Sequence, residues 1–156
     1  MSDQKFYTQL DLDKSLQPLR FTKYATTIDN SYFEATITPP LGTLGDFKAT
    51  QHTYRCFTPD TISIIGRRTN GTTLDQLHIF IPFTLKNDNY RIEDLPGISV
   101  GIVTGGVLCE GIRGKLTIKQ EKDKTFVEAN FDYEILRLGK THTVEGKLSL
   151  HATEFL

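Results

Sequence analysis

No stretch of this sequence approaches the roughly 18 consecutive apolar residues that a membrane-spanning helix needs. Its first residues, Met1-Ser2-Asp3-Gln4-Lys5-Phe6, lack the apolar core of a signal peptide. A cytoplasmic chain without a membrane span is the expectation. An excess of either charge is missing too, with 18 basic against 19 acidic residues, so no long-range field draws the protein to nucleic acid or to an anionic membrane. Cysteine is scarce: Cys56 and Cys109 stand 52 residues apart without C-x-x-C spacing, which favours free, largely buried thiols over a disulfide. Tryptophan is absent, and no internal repeat or low-complexity tract interrupts the chain. Asn70-Gly71-Thr72 matches the three-residue glycosylation acceptor.

The motifs that usually carry chemistry are equally thin. His52, His78, His142 and His151 are scattered without H-x-H or H-E-x-x-H spacing, so no metal site is expected. There is no G-x-S-x-G elbow to present a nucleophilic serine, and nothing in the pattern implies a cofactor. At 156 residues the chain is expected to form a single domain over positions 1–156, long enough to bury a core without disulfides or metal.

What is present is alternation of period two. In Leu77-His78-Ile79-Phe80-Ile81-Pro82-Phe83-Thr84-Leu85 every odd position is apolar, as in a half-buried strand, and Pro82 marks an edge, a bulge or an unpaired position. Upstream, Thr61-Ile62-Ser63-Ile64-Ile65 joins that run through Asn70-Gly71, a dipeptide favouring a type I′ hairpin turn. A tip there pairs Ile64 with Leu77 and Ile62 with Ile79.

The C-terminal third reads as a three-stranded meander over 114–120, 126–135 and 143–151, with turns at 121–124 and around Gly139-Lys140. One face carries Leu116, Ile118, Val127, Ala129, Phe131, Tyr133, Val144, Gly146, Leu148 and Leu150. The other carries Lys115, Lys119, Glu128, Asp132, Glu145 and Lys147, opposite charges that keep an exposed sheet face soluble. Further strands are expected at 19–27, 31–38, 47–56 and 98–104. Segment 5–12 fits a strand through Phe6, Thr8, Leu10 and Leu12, with a helix capped by Ser2 or Asp3 as the alternative. The fold class is all-β: a single antiparallel β-barrel or two-sheet sandwich of about 8–10 strands.

Six of the twelve glycines fall between Gly97 and Gly114. The pattern does not fit a phosphate-cradling loop, because Lys115 is followed directly by Leu116, in an expected strand, where that motif needs Ser or Thr and a helix. Two readings stand. The glycines relieve crowding where a sheet bends, or they border a ligand site built on Gly105, Gly106, Glu110 and Arg113. The sixteen aromatics fall mostly at core-face positions, and a barrel of this strand number can also hold a small apolar ligand.

Over about two thirds of its length the pattern resembles a group of uncharacterised small bacterial β proteins, many of them lipoproteins. The likeness rests on Tyr24-Ala25-Thr26-Thr27-Ile28-Asp29-Asn30-Ser31-Tyr32-Phe33-Glu34-Ala35, on Ile62-Ser63-Ile64-Ile65-Gly66, and on the run from Leu77. It continues in Gly114-Lys115-Leu116-Thr117-Ile118, in Phe131-Asp132-Tyr133 and in Val144-Glu145-Gly146-Lys147-Leu148. The shorter segment from Thr104 to Lys115 is similar to the glycine-rich segment of the barrel shared by allene oxide cyclases and dirigent proteins. That likeness implies a closed barrel steering a small hydrophobic molecule. With no nucleophile, base and electrophile assembled, the expected function is non-enzymatic binding of a small hydrophobic ligand or a protein partner, with homo-oligomers allowed. A barrel-type enzyme or dirigent-like protein is the alternative.

Overall fold

The computed structural model describes residues 2–18, 31–70 and 73–152. Its order is α1 (Ser2–Leu10), β1 (Tyr32–Leu41), β2 (Leu44–Lys48), β3 (Gln51–Thr58), β4 (Thr61–Asn70), β5 (Thr73–Pro82) and β6 (Asp88–Arg91). A short 3-10 turn at Ile92–Asp94 follows, then β7 (Ser99–Thr104), β8 (Val107–Gln120), β9 (Phe126–Arg137) and β10 (Lys140–His151). The strands form one strongly curled antiparallel sheet, a half-barrel, in the order β2-β1-β10-β9-β8-β7-β5-β4-β3, with β6 on β8.

Two bends make the curl. The first lies between β2 and β3, where the Ala49 amide still donates to the Phe33 carbonyl of β1 while the Thr50 amide donates to the Arg67 carbonyl of β4, both at 2.9 Å. Where sequence reasoning expects one strand over 47–56, the chain therefore serves both ends of the strand order. The second lies in β8, whose first residues pair with β7 and whose remainder pairs with β9 and β6. A bulge between Gly111 and Arg113 marks the change. At Gly114 (φ +155) a side chain would collide with the Asp132 carbonyl, so the sheet passes this corner only without one. β8 begins at Val107, seven residues before the expected start at 114.

The interior is packed. Phe33, Phe47, Tyr54, Ile64, Leu77, Val100, Leu116, Phe131, Tyr133 and Leu148 belong to one buried cluster. The meander holds the expected faces, with Leu116 opposite Phe131, Ile118 opposite Ala129, and Val144, Gly146 and Leu148 opposite Tyr133, Phe131 and Ala129. The hairpin of β4 and β5 differs in register: Ile64 pairs with Ile79 and Ile62 with Ile81, while Asn70 pairs with Thr73. The shift is two residues, which preserves every face, so the hydrophobic pattern could not separate the two registers. The turn residues 71–72 and the expected strand at 19–27 lie outside the described residues.

Segment 5–12 is not a strand. Residues 2–10 are helical, and Phe6, Tyr7 and Leu10, at helical spacing, pack on the outer face of β5, β7 and β8 against Leu74, Phe80, Val103 and Leu108. Only Thr8 in this helix is β-branched, so local preference does not oppose it. Leu12 and Leu16 follow in a compact turn held by Asp13, whose carboxylate accepts from the Ser15 and Gln17 amides at 2.8 and 3.0 Å. The half-barrel thus carries a second, smaller core on its outside.

Candidate functional site

The glycine-rich segment separates into parts. Gly105 and Gly106 (φ +58 and +74) form the exposed two-residue turn between β7 and β8. Glu110 is exposed further along β8, and Arg113, beyond the bulge, pairs with Glu134 at 3.1 Å on the outer face. None of these four lines the groove described next, and they occupy a turn, a strand and a bulge rather than one concave surface.

The groove lies on the outer face of β2, β1, β10 and β9, with a volume of about 820 Å³. Twist gives a curled sheet a saddle shape, so a face that is convex around the barrel is concave along one diagonal. Cross-strand register arranges its lining in rows. Glu34 stands between Lys48 of β2 and Lys147 of β10, and Thr36 stands between Asp46 and Glu145. Thr38 and Thr143 form the next row. The short threonines leave the floor low while the longer charged side chains form the walls.

Alternate strands in a sheet lie about 10 Å apart and successive same-face residues about 7 Å apart along a strand. Asp46 and Glu145 therefore frame a gap over the Thr36 hydroxyl wide enough for an ammonium or guanidinium group. The Glu34–Lys147 contact, 3.9 Å between exposed side chains, is weak and leaves both groups able to pair with a ligand. Sequence reasoning places Glu145 and Lys147 on an exposed face but does not anticipate the groove. Its signal is the matching of Glu34, Thr36 and Thr38 in β1 to both neighbouring strands, which needs the β1–β10 pairing to be known.

Polar groups inside the half-barrel are of another kind. The Tyr54 hydroxyl donates to Gln120 Oε1 at 2.6 Å, and the Tyr133 hydroxyl donates to the Gly101 carbonyl at 3.0 Å. Burial pushes both phenols well above the ordinary range. His52 shares the inward face of β3 with Tyr54. Among the described residues neither of its ring nitrogens has a hydrogen-bond partner, and burial lowers its pKa to about 4. Cys109 is buried and Cys56 half-buried, both as free thiols, and burial raises the Cys56 pKa.

Beneath α1 lies a buried polar layer. Ser63 donates to the Gln9 carbonyl at 2.8 Å, Gln76 Nε2 to the Leu10 carbonyl at 2.9 Å, and Arg67 Nε to Gln76 Oε1 at 2.7 Å. Arg67 Nη2 also lies 4.0 Å from Asp11 Oδ2. His78, stacked on Phe80 with ring centroids 4.7 Å apart, is fully buried, and burial lowers its pKa to about 3. These groups tie the N-terminal segment to the sheet. Among the described residues no group of three or more His, Cys, Asp or Glu is placed to hold a metal ion, and no helix is long and apolar enough to cross a membrane.

No family model matches the chain, and neither a curated protein nor a solved structure is significantly similar to it. The site's own geometry is the only ground for a functional reading.

Proposed function

We propose that the protein is a non-enzymatic interaction module whose outer groove takes an extended segment of a protein partner. The observation that carries this reading is the charge array around Thr36. A partner lysine or arginine fits over Thr36 between Asp46 and Glu145, and a partner carboxylate one row away meets Lys48 or Lys147. A ligand with charges of both signs at strand spacing matches both rows at once. An uncharged apolar molecule would instead strip water from five ionisable side chains without replacing their contacts.

A small hydrophobic ligand held inside, or a dirigent-like reaction there, has one supporting feature in His52. The packed cluster around it weighs against that reading.

The test is fluorescence anisotropy with an eight-residue peptide repeating Lys-Ser-Glu-Ser, which sets opposite charges two residues apart on one face of an extended chain, and a Ser-Gly peptide of equal length. The charged peptide should bind, weaken as salt rises, and lose at least tenfold in affinity to Asp46→Lys/Glu145→Lys. Equal affinity for the two peptides, or no effect of the double substitution, would overturn the assignment.

A further inference from the structure

We propose that the end of the half-barrel carrying the hairpin tips docks on the interface of an anionic lipid bilayer. The antiparallel registers bring the turns Gly42-Thr43, Gly105-Gly106 and Leu138-Gly139 to one end, since β8 starts and β9 finishes there. Among the described residues, five large hydrophobic side chains are exposed. Four of them sit at this end: Leu138 is 95% exposed, Leu136 56%, Ile112 43% and Val107 37%. Tyr32, the fifth, lies at the other end, with Lys147 over its ring.

Leu138 is the sharpest feature. It occupies a left-handed position (φ +51) in a two-residue turn that Asn or Gly would fill without strain, and almost all of its side chain projects into solvent. A strained leucine with so little packing contributes nothing evident to the fold, which directs its use outward. Arg137 precedes it and Lys140 follows Gly139. Carboxylates near this end include Glu134, paired with Arg113; Asp75, paired with Arg68; exposed Glu110 on β8; and exposed Asp46 on β2, on the far side of the Gly42-Thr43 turn from Leu138. The tip itself is therefore an apolar point between two cations, the pattern complementary to an anionic headgroup layer over hydrocarbon.

The shape selects a bilayer over a protein. Leu138 stands on a turn and Val107, Ile112 and Leu136 on β8 and β9, and four side chains are far fewer than the roughly 20–30 residues per side of a stable protein interface. A fluid interface conforms to separate tips. The balanced net charge supplies no long-range pull, so the contact is short-ranged and salt-sensitive. This inference does not depend on the groove.

The test is co-sedimentation with vesicles of phosphatidylcholine containing 30% phosphatidylserine, and with phosphatidylcholine alone. The wild type should partition onto the anionic vesicles at least fivefold more strongly. Leu138→Gly, which relieves the backbone strain and so leaves the fold intact, should lower partitioning about fivefold or more. Arg137→Ala/Lys140→Ala should lower it about tenfold and remove the lipid preference. Lys119→Ala, near the opposite end of β8, should leave it unchanged. Equal partitioning onto both vesicle types, or full binding by Leu138→Gly, would overturn the proposal. So would a concentration-dependent dimer abolished by Leu138→Gly, since the end would then serve a second copy of the chain.

Discussion

The outer face of β1, β2, β9 and β10 and the outer face of β4, β5 and β7 belong to the same curled sheet, yet one is open and the other is sealed. On the open face, alternation is strict: Glu34, Thr36 and Thr38 in β1 and Thr143, Glu145 and Lys147 in β10 all point to solvent while their neighbours fill the core. On the sealed face the outward positions include Ile65, Phe80 and Val103 alongside Ser63, Arg67, Gln76 and His78, and all are buried. α1 and the turn after it cover them. Alternation alone tells which residues share a face, but the composition of the outward set decides whether that face meets water or a second layer. In this protein that choice also decides where a partner can bind.

The largest expected effect tests the inner core against the outer one. Phe131 packs between Phe33 and Tyr133 with centroid distances of 5.7 and 6.0 Å, and Phe131→Ala should destabilise the fold by about 3–5 kcal/mol in chemical denaturation. A loss below about 1 kcal/mol would deny that this face is the main core. Leu10→Ala should remove about 2–4 kcal/mol, because Leu10 is fully buried between α1 and the sheet. If α1 were only loosely docked, that loss would be close to zero and protease would cleave the segment readily.

A smaller and more specific effect lies in pH. His52 and His78 are held neutral, with pKa values lowered to about 4 and about 3, while in the unfolded chain they titrate near 6.5. Below pH 6.5 the unfolded state binds protons that the folded state refuses, so stability falls as pH drops. Each histidine contributes a slope of up to about 1.4 kcal/mol per pH unit, ending near its folded pKa. Above 6.5 neither contributes a slope. His78→Leu should remove one of the two contributions, read as a shallower dependence of denaturation midpoint on pH between 6 and 4. An unchanged slope would mean that His78 is solvated.

The smallest effect on stability is expected on the open face. Glu145 stands directly opposite Asp132, a like-charge pair. Glu145→Lys should therefore change stability by less than about 0.5 kcal/mol, and in the favourable direction. The same substitution should weaken peptide binding, which separates the groove's function from its fold.

Much of the architecture was legible in the sequence. The meander's faces, the all-β class and the buried position of Phe131 follow from period-two alternation, which a sheet converts directly into inside and outside. The β4–β5 register was legible only modulo two, because sliding by two residues leaves Ile62, Ile64, Leu77 and Ile79 facing inward. The second layer left a signal in Ile65 and Phe80, apolar residues in the polar register, and in Phe6 and Leu10 at helical spacing, but the signal is too short to force a helix. The groove was not legible, since it arises from pairing β1 with β10 across more than a hundred residues of chain. Of the glycines that made this segment conspicuous, Gly105 and Gly106 form a hairpin turn, and Gly111 and Gly114 lie where the sheet turns its corner.

The most direct test of the interaction-module reading is amide chemical-shift mapping of the protein titrated with the Lys-Ser-Glu-Ser repeat peptide. The perturbed amides should cluster on the groove strands around Thr36, Asp46, Glu145 and Lys147, with α1 and the β4–β5 face unmoved. Perturbation centred on the interior side of β3, around His52 and Tyr54, or on the N-terminal segment would contradict it.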